Sequence, residues 1–165
     1  MVAPTTLRTG VWAVRCGTLS SQQQCFHEFQ CVRGRSSSGR ELTAGVVQTV
    51  LVVEDHADLR EMLAVLLESE GFLVETAANG REALDSLQHG RPSVILLDLM
   101  MPVMSGDEFR RRQLQQPEFA DVPVICMTAA HDGPQRASRL KAAEYFQKPV
   151  DFDRLITAVR HLARR

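Results

Sequence analysis

Short apolar runs alternate with amphipathic segments between residues 48 and 165. The first run, Thr49–Val53, is rich in β-branched residues and has the length of a strand. After it, apolar side chains recur at intervals of three and four residues, which predicts one face of a helix: Leu59, Met62, Leu63, Leu66 and Leu67. The same succession of a strand and a helix then recurs along the rest of the chain.

Four later strands are predicted at Phe72–Thr76, Ser93–Leu97, Val122–Met127 and Glu144–Phe146. The helices after them are expected to begin at Asn79-Gly80, to cover residues 107–115 and about 133–142, and to follow an N-cap at Asp151. Five strand-helix pairs in strict alternation predict an α/β fold, with a parallel sheet and helices on both of its faces. In such a sheet, ligands bind at the edge where the carboxyl ends of the strands meet.

The predicted sheet edge carries three carboxylates, one hydroxyl and one ammonium: Glu54, Asp55, Asp98, Thr128 and Lys148. Three nearby carboxylates repel one another, so we expect a hard divalent cation to neutralise them. Mg²⁺ fits, because it binds through one or two carboxylates, keeps water ligands and contacts phosphate oxygens. A carboxylate beside Mg²⁺ and a lysine can attack a phosphoryl group, so this edge predicts aspartyl phosphate chemistry.

Charge and composition divide the chain near residue 47. Residues 1–47 carry a net charge of +3 and residues 48–165 a net charge of −4, and the first part shows no sustained apolar period. The first part also contains the flexible run Ser36-Ser37-Ser38-Gly39. We therefore expect residues 1–47 to be a poorly ordered N-terminal extension and residues 48–165 to be the folded unit. The extension is either a targeting peptide or the product of an upstream start.

The cysteine spacing gives little support for a metal centre in the extension. Cys16, Cys25 and Cys31 are farther apart than the ligand pairs of zinc sites usually are, so we interpret them as free thiols in a reducing compartment. Cys126 lies in an apolar run and is expected to be a small core residue.

The overall charge and the apolar runs exclude two classes of partner. A net charge of −1 argues against a protein whose main role is binding a nucleic-acid backbone. Arg110, Arg111 and Arg112 are accordingly expected to form a solvated helix face. The longest apolar runs are too short to span a bilayer, so no membrane insertion is expected and a cytoplasmic location is favoured.

Four segments together resemble the receiver domain of two-component response regulators: VLVVEDHADLR, VILLDLMMPVMSG, VICMTAA and YFQKP. The resemblance covers about residues 48–165, and it is specific because the four motifs occur in this order on the predicted elements. It implies a CheY-like (flavodoxin-like) five-stranded parallel sheet with the strand order 2-1-3-4-5. The chain ends soon after the fifth helix, at Arg165, so it resembles a stand-alone receiver.

The resemblance also implies how phosphate and metal would be held. Asp98 is the implied phosphoacceptor, which takes phosphate from a phosphohistidine on a sensor histidine kinase or phosphotransfer protein. Glu54 and Asp55 match the acidic pair of the family. Together with Asp98 and the main-chain carbonyl of Met100, this pair implies the Mg²⁺ site.

Three further positions match residues that respond to the phosphate. Thr128 and Lys148 match the two residues that contact the phosphoryl oxygens. Tyr145 matches the aromatic switch position, whose ring turns inward when Thr128 moves toward the phosphate. Pro149 matches a proline that often follows the lysine through a cis peptide bond.

The chain departs from the family pattern around the fourth helix. Lys141 stands where the family commonly has glycine in a left-handed turn, and the stretch from Thr128 to Lys148 is slightly short. The surface of helix 4, strand 5 and helix 5 usually signals to a downstream protein and is a possible homodimer interface. The departures therefore concern the output of the receiver, whereas the residues of the phosphorylation chemistry match the family.

Other functions are weighed against a phosphorelay receiver. A phosphohydrolase would be a turnover enzyme, and such enzymes commonly carry an acid two residues after the nucleophile, where this chain has Met100. A flavin-binding relative would need a phosphate loop in place of the acidic residues after strand 1. The remaining alternative is a receiver-like protein-binding module that is not phosphorylated. The expected activity is thus limited to the protein's own phosphorylation and dephosphorylation.

Overall fold

The computed structural model describes residues 47–164, and the expected N-terminal extension with Cys16, Cys25 and Cys31 lies outside the described residues. Five strands form one parallel sheet: β1 (Thr49–Val53), β2 (Leu73–Ala77), β3 (Val94–Asp98), β4 (Val124–Thr128) and β5 (Glu144–Gln147). Their order across the sheet is β2-β1-β3-β4-β5, which confirms the α/β fold and the strand order.

Five helices cover the sheet on both faces: α1 (Ala57–Ser69), α2 (Gly80–Leu87), α3 (Gly106–Leu114), α4 (Gly133–Arg139) and α5 (Phe152–Ala163). Apolar side chains of α2, α3 and α4 form one core layer with the sheet. Side chains of α1 and α5 form the other core layer, on the opposite face. No helix among residues 47–164 is both long and apolar enough to cross a membrane.

Two central strands are buried at every position, and their last residues are polar. Strands β3 and β4 were predicted to begin one or two residues too early, and each extends one residue farther than predicted. The backbone register explains the difference, because Asp98 pairs with Met127 and Thr128 pairs with Gln147. Asp98 and Thr128 are therefore the final residues of their strands, held by the sheet itself.

One predicted helix start is confirmed, and the prediction for one helix face needs a correction. The Asp151 side chain accepts a hydrogen bond from the Arg154 N–H, which confirms the predicted N-cap of α5. Leu63 and Leu67 are buried as predicted, but Met62 is 45% exposed. The buried face of α1 is therefore narrower than the spacing of its apolar residues predicts.

The prediction that Arg110 lies on a solvated face is wrong, because this residue is only 4% exposed. Its Nε and Nη2 atoms donate to the main-chain oxygens of Leu140 and Lys141, at 3.0 and 2.9 Å. Its Nη1 atom donates to the side-chain oxygen of Gln113, and Nε2 of Gln113 donates to the Phe119 carbonyl at 2.8 Å. A buried cation is tolerable where it is hydrogen-bonded, and these carbonyls satisfy its donors at the carboxyl end of α4.

Lys141 adopts the left-handed backbone conformation expected at this position, with φ of 51°. A side chain with a Cβ is strained there, and glycine is not. We expect Lys141→Gly to raise the free energy of unfolding by about 1 kcal/mol in urea denaturation. Lys141→Ala is the matched control, because it removes the ammonium but keeps the Cβ. Equal stability of the two variants would contradict a backbone origin of the effect.

Cys126 lies in the core as predicted, and burial raises the pKa of its thiol to about 12 from 9.0. Between these two pH values the unfolded chain loses the thiol proton and the folded chain keeps it, so the free energy of unfolding falls as pH rises. We expect this fall to be shallower in Cys126→Ala by about 1 kcal/mol per pH unit between pH 10 and 11. Urea unfolding at several pH values measures the slope, and parallel slopes would refute the assignment.

Candidate functional site

The carboxyl edge of the sheet brings together the polar residues that the sequence placed at the strand ends. Glu54 and Asp55 follow β1 directly, and Lys148 follows β5. Asp98 and Thr128 are the last residues of β3 and β4. Because all five strands are parallel, these positions share one edge.

The ammonium of Lys148 joins two buried carboxylates. Its Nζ lies 3.0 and 2.8 Å from the two carboxylate oxygens of Glu54 and 2.6 Å from Oδ2 of Asp98. Both acids are almost completely buried, whereas the lysine side chain is 20% exposed. Charge-assisted hydrogen bonds of this length are short and strong. The lysine therefore holds the ends of β1 and β3 in contact with the segment after β5.

The pKa values of Glu54 and Lys148 both lie above their ordinary values. Burial raises the pKa of Glu54, against the hydrogen bond from Lys148, and the charge of Asp98 adds to the rise. Burial by itself lowers the pKa of Lys148, but hydrogen bonds to Asp98 and Glu54 outweigh it, and the net pKa lies above the ordinary value. The ammonium consequently stays charged beside the two acids at neutral pH.

The carboxylate of Asp98 is also held by the loop that follows it. The Met100 N–H donates to Oδ1 at 2.9 Å, so each carboxylate oxygen has a partner. Helix α3 then begins very close to the strand end, and a Cβ on Gly106 would overlap the main-chain oxygen of Asp98. Ser105 caps this helix by accepting from the Glu108 N–H. Glycine at position 106 thus allows α3 to start against the site.

Thr128 is buried at the neighbouring strand end. Its hydroxyl oxygen accepts a hydrogen bond from the Ala130 N–H at 3.2 Å, and its main-chain oxygen accepts from the Lys148 N–H at 2.9 Å. The peptide bond between Lys148 and Pro149 is cis, as the resemblance implied. The structure therefore places the predicted hydroxyl and ammonium on adjacent segments of one edge.

Tyr145 packs inward against the first turn of α4. Its ring contacts the core layer of α2, α3 and α4, and a Cβ on Gly133 would overlap the ring. The tyrosine hydroxyl is buried and has no hydrogen-bond partner among residues 47–164. The inward position of this ring therefore requires glycine at position 133, which has no Cβ.

The side chains best placed to hold a cation are those of Glu54, Asp55 and His56, whose ligand atoms lie within 4.8 Å of one another. The predicted ligand Asp98 lies outside this group and is linked to it through Lys148 and Glu54. Carboxylate oxygens are the ligands that Mg²⁺ prefers, and the half-buried Asp55 is accessible to a hydrated ion. The acidic donor set therefore fits this metal.

Two neighbours of the acidic pair were not identified from the sequence. His56 Nδ1 lies 3.6 Å from Asp55 Oδ1. Arg60, one turn into α1, donates from Nη1 to the main-chain oxygens of Glu54 and Asp55 at 2.7 and 3.2 Å. The one sequence signal for this contact is the position of Arg60, in the first turn of a helix that begins just after an acidic pair.

Replacement of Lys148 tests its role as the counter-charge of two buried acids. We expect Lys148→Met to lower the free energy of unfolding at pH 8 by about 3 kcal/mol, because it leaves buried carboxylates without a partner. The loss should be smaller at pH 5, since Glu54 has a raised pKa and can take up a proton.

Urea denaturation of the wild type and the variant at both pH values measures this difference. The double variant Glu54→Gln/Lys148→Met should recover part of the stability, because it removes one unpaired charge. A Lys148→Met protein as stable as the wild type at pH 8 would show that the carboxylates do not need the ammonium.

Comparison with known proteins gives a consistent match. A family model for the response regulator receiver domain matches residues 50–160. The chain is 38% identical over 118 residues to the phosphate regulon transcriptional regulatory protein PhoB of Rhizobium meliloti, a match that covers 70% of this chain and 52% of PhoB. It is 36% identical over 118 residues to the response regulator MprA of Mycolicibacterium vanbaalenii, covering 70% of this chain and 50% of MprA. The chain thus spans about half the length of these curated relatives.

Solved structures agree with the observed fold. Vibrio cholerae chemotaxis protein CheY4 matches with a TM-score of 0.65 and 32% identity, over 70% of this chain and 98% of CheY4. The signal receiver domain of a signal transduction histidine kinase from Syntrophus aciditrophicus matches with a TM-score of 0.67 and 32% identity, over 72% of this chain and 91% of that domain. The sheet order, the sequence motifs and these matches lead to one conclusion: the chain belongs to the family of response regulator receiver domains.

Proposed function

We propose that this protein is a phosphorelay receiver whose phosphoacceptor is Asp98. The observation that carries the proposal is the contact of Lys148 with both Asp98 and Glu54 at the end of the sheet. This contact holds the Asp98 carboxylate in a fixed orientation beside the Lys148 ammonium, as phosphoryl transfer requires. The donor is a phosphohistidine on a sensor histidine kinase or a phosphotransfer protein, and the site of action is the cytoplasm.

In the proposed reaction, a carboxylate oxygen of Asp98 attacks the phosphorus atom of the phosphohistidine. The new oxygen–phosphorus bond forms as the phosphorus–nitrogen bond breaks, and the imidazole of the donor keeps the electron pair. The Met100 N–H and the Lys148 ammonium hold the attacking carboxylate. Lys148 and the Thr128 hydroxyl then contact the oxygens of the transferred group.

Glu54, Asp55, Asp98 and the main-chain carbonyl of Met100 are the proposed ligands of Mg²⁺. The ion would neutralise the charge of the transferred phosphoryl oxygens. Lys148 contacts two of the three acids at this edge, Glu54 and Asp98, so the cluster has an excess of negative charge that a divalent cation balances.

The phosphate leaves when water attacks the phosphorus atom, which restores the Asp98 carboxylate and releases inorganic phosphate. Met100 occupies the position where phosphohydrolases of this type carry a second acid. Without that acid the protein does not catalyse rapid turnover of a substrate, and its chemistry is limited to its own phosphorylation and dephosphorylation.

Phosphorylation is proposed to act on the surface formed by α4, β5 and α5 through Thr128 and Tyr145. The inward ring of Tyr145 packs against Gly133 at the start of α4, so movement of that turn and of the ring are linked. A shallow cleft of about 430 Å³ lies between β5 and α5, lined in part by Phe146, Asp153 and Arg154. We propose that a downstream protein, or a second copy of the chain, binds this surface.

Direct binding to nucleic acid is not part of the proposal. PhoB is a transcriptional regulatory protein of about twice the matched length. The net charge of −4 on residues 48–165 opposes binding of this unit to a phosphate backbone. The alternative function is a protein-binding module that does not accept phosphate. A phosphorylation experiment separates this module from the proposed receiver.

Purified protein incubated with acetyl phosphate and Mg²⁺ should gain the mass of one phosphoryl group. Asp98→Asn should gain none, because an amide does not form the acyl phosphate. Omission of Mg²⁺ should slow labelling of the wild type strongly. Intact-protein mass spectrometry measures the adduct, and circular dichroism confirms that the variant is folded.

The controls separate the receiver from the binding module. Asp121→Asn changes an acid that lies just before β4, at the opposite edge of the sheet, where it pairs with Arg91, and this variant should still be labelled. Absence of the adduct in folded wild-type protein, both with acetyl phosphate and with a panel of phosphorylated histidine kinases, would favour the module that does not accept phosphate.

A further inference from the structure

Arg136 connects α4 to the loop that follows Asp98. Its guanidinium pairs with Asp107 in the first turn of α3. Nε of Arg136 lies 3.3 Å from Asp107 Oδ1, and Nη2 contacts Oδ2, so the pair is joined at two points. This fork orients the guanidinium plane, and Nη1 contacts the Met100 sulfur at 3.2 Å.

Met100 contacts the proposed phosphoacceptor through its main chain. Its N–H donates to Asp98 Oδ1 at 2.9 Å, and its main-chain carbonyl is a proposed metal ligand. The residue is 59% exposed, so core packing restricts its side chain little. A contact at the sulfur therefore has a direct influence on the order of this part of the loop.

Arg136, paired with Asp107, is suited to hold a weak hydrogen-bond acceptor such as the Met100 sulfur. A thioether sulfur accepts hydrogen bonds only weakly, so the contact must cost little side-chain entropy to form. The fork with Asp107 has already ordered the guanidinium, and its hydrogen bond raises the pKa of Arg136 above the ordinary value. A lysine has no planar group that could bind the carboxylate and the sulfur together.

We infer that Arg136 is a positioning residue for phosphoryl transfer at Asp98. It acts by holding Met100 through its sulfur, which fixes the N–H that binds the Asp98 carboxylate. Asp107 orients the arginine for this contact. The inference rests on the proposed function, and it requires no contact between Arg136 and the phosphodonor.

The first test is the rate of phosphorylation by acetyl phosphate at saturating Mg²⁺. We expect Arg136→Gln to slow the reaction on the order of tenfold, as loss of an orienting partner does at other metal sites. Arg136→Lys should stay slow, because charge alone does not replace the fork. The matched control is Arg139→Gln, on the same helix and with the same change of charge. The Arg139 side chain is 71% exposed, so this variant should react at the wild-type rate.

A double-mutant cycle tests whether Arg136 acts through Met100. Met100→Leu keeps a similar apolar volume and removes the sulfur, so it should slow the reaction as Arg136→Gln does. The double variant should then be no slower than either single variant. If Arg136→Gln slows the reaction equally with Met100 or Leu at position 100, the arginine acts only by holding α4, and the inference is overturned.

A second measurement does not depend on phosphorylation. In protein labelled with ¹³C at the methionine methyl groups, the Met100 signal, assigned with Met100→Leu, should shift toward the value of a freely rotating side chain in Arg136→Gln. It should not shift in Arg139→Gln. An unchanged Met100 signal in Arg136→Gln would overturn the inference. A wild type that takes no phosphate would defeat the proposed function alone, because the methyl signal still tests the positioning.

Discussion

The contact of one ammonium with two buried carboxylates is the constraint on which the carboxyl edge of this sheet depends. Lys148 reaches Glu54 after β1 and Asp98 at the end of β3, across the width of β4. Two such acids cannot remain charged and buried without a partner. The placement of β5 and of the segment after it is thus an electrostatic requirement as much as a matter of backbone pairing.

The same contact supports the proposed transfer of phosphate to this edge. The sheet delivers each polar group at the last residue of a buried strand or directly after it, so its direction is set by backbone hydrogen bonds. The loop after β3 and the start of α3 then confine Asp98 from the other side, through Met100 and the close approach at Gly106. In the proposed reaction, a carboxylate held in this way beside an excess of negative charge would favour the binding of a divalent cation and then of a phosphoryl group.

The alternation of apolar runs and amphipathic segments was enough to predict the sheet, its helices and the residues at its edge. Residue type was a poorer guide than spacing on α3. Gly106, Phe109, Arg110 and Gln113 follow the period of a buried stripe, and all four are buried, although Arg110 was expected to be solvated. Contacts with main-chain oxygens, such as those of Arg60 with Glu54 and Asp55, leave no pattern in the sequence, because every residue offers the same carbonyl.

The buried guanidinium of Arg110 has a consequence for exchanging parts between receivers. It satisfies two carbonyls at the carboxyl end of α4 from a position on α3, so the two helices form a matched pair although a strand separates them in the sequence. In a chimaera that takes only residues 133–141 from another receiver, a turn of different sequence would lie against the Arg110 guanidinium. That guanidinium needs hydrogen-bond acceptors in this turn. Recombination points are therefore better placed before α3 and after Lys141, which keeps both helices from one parent.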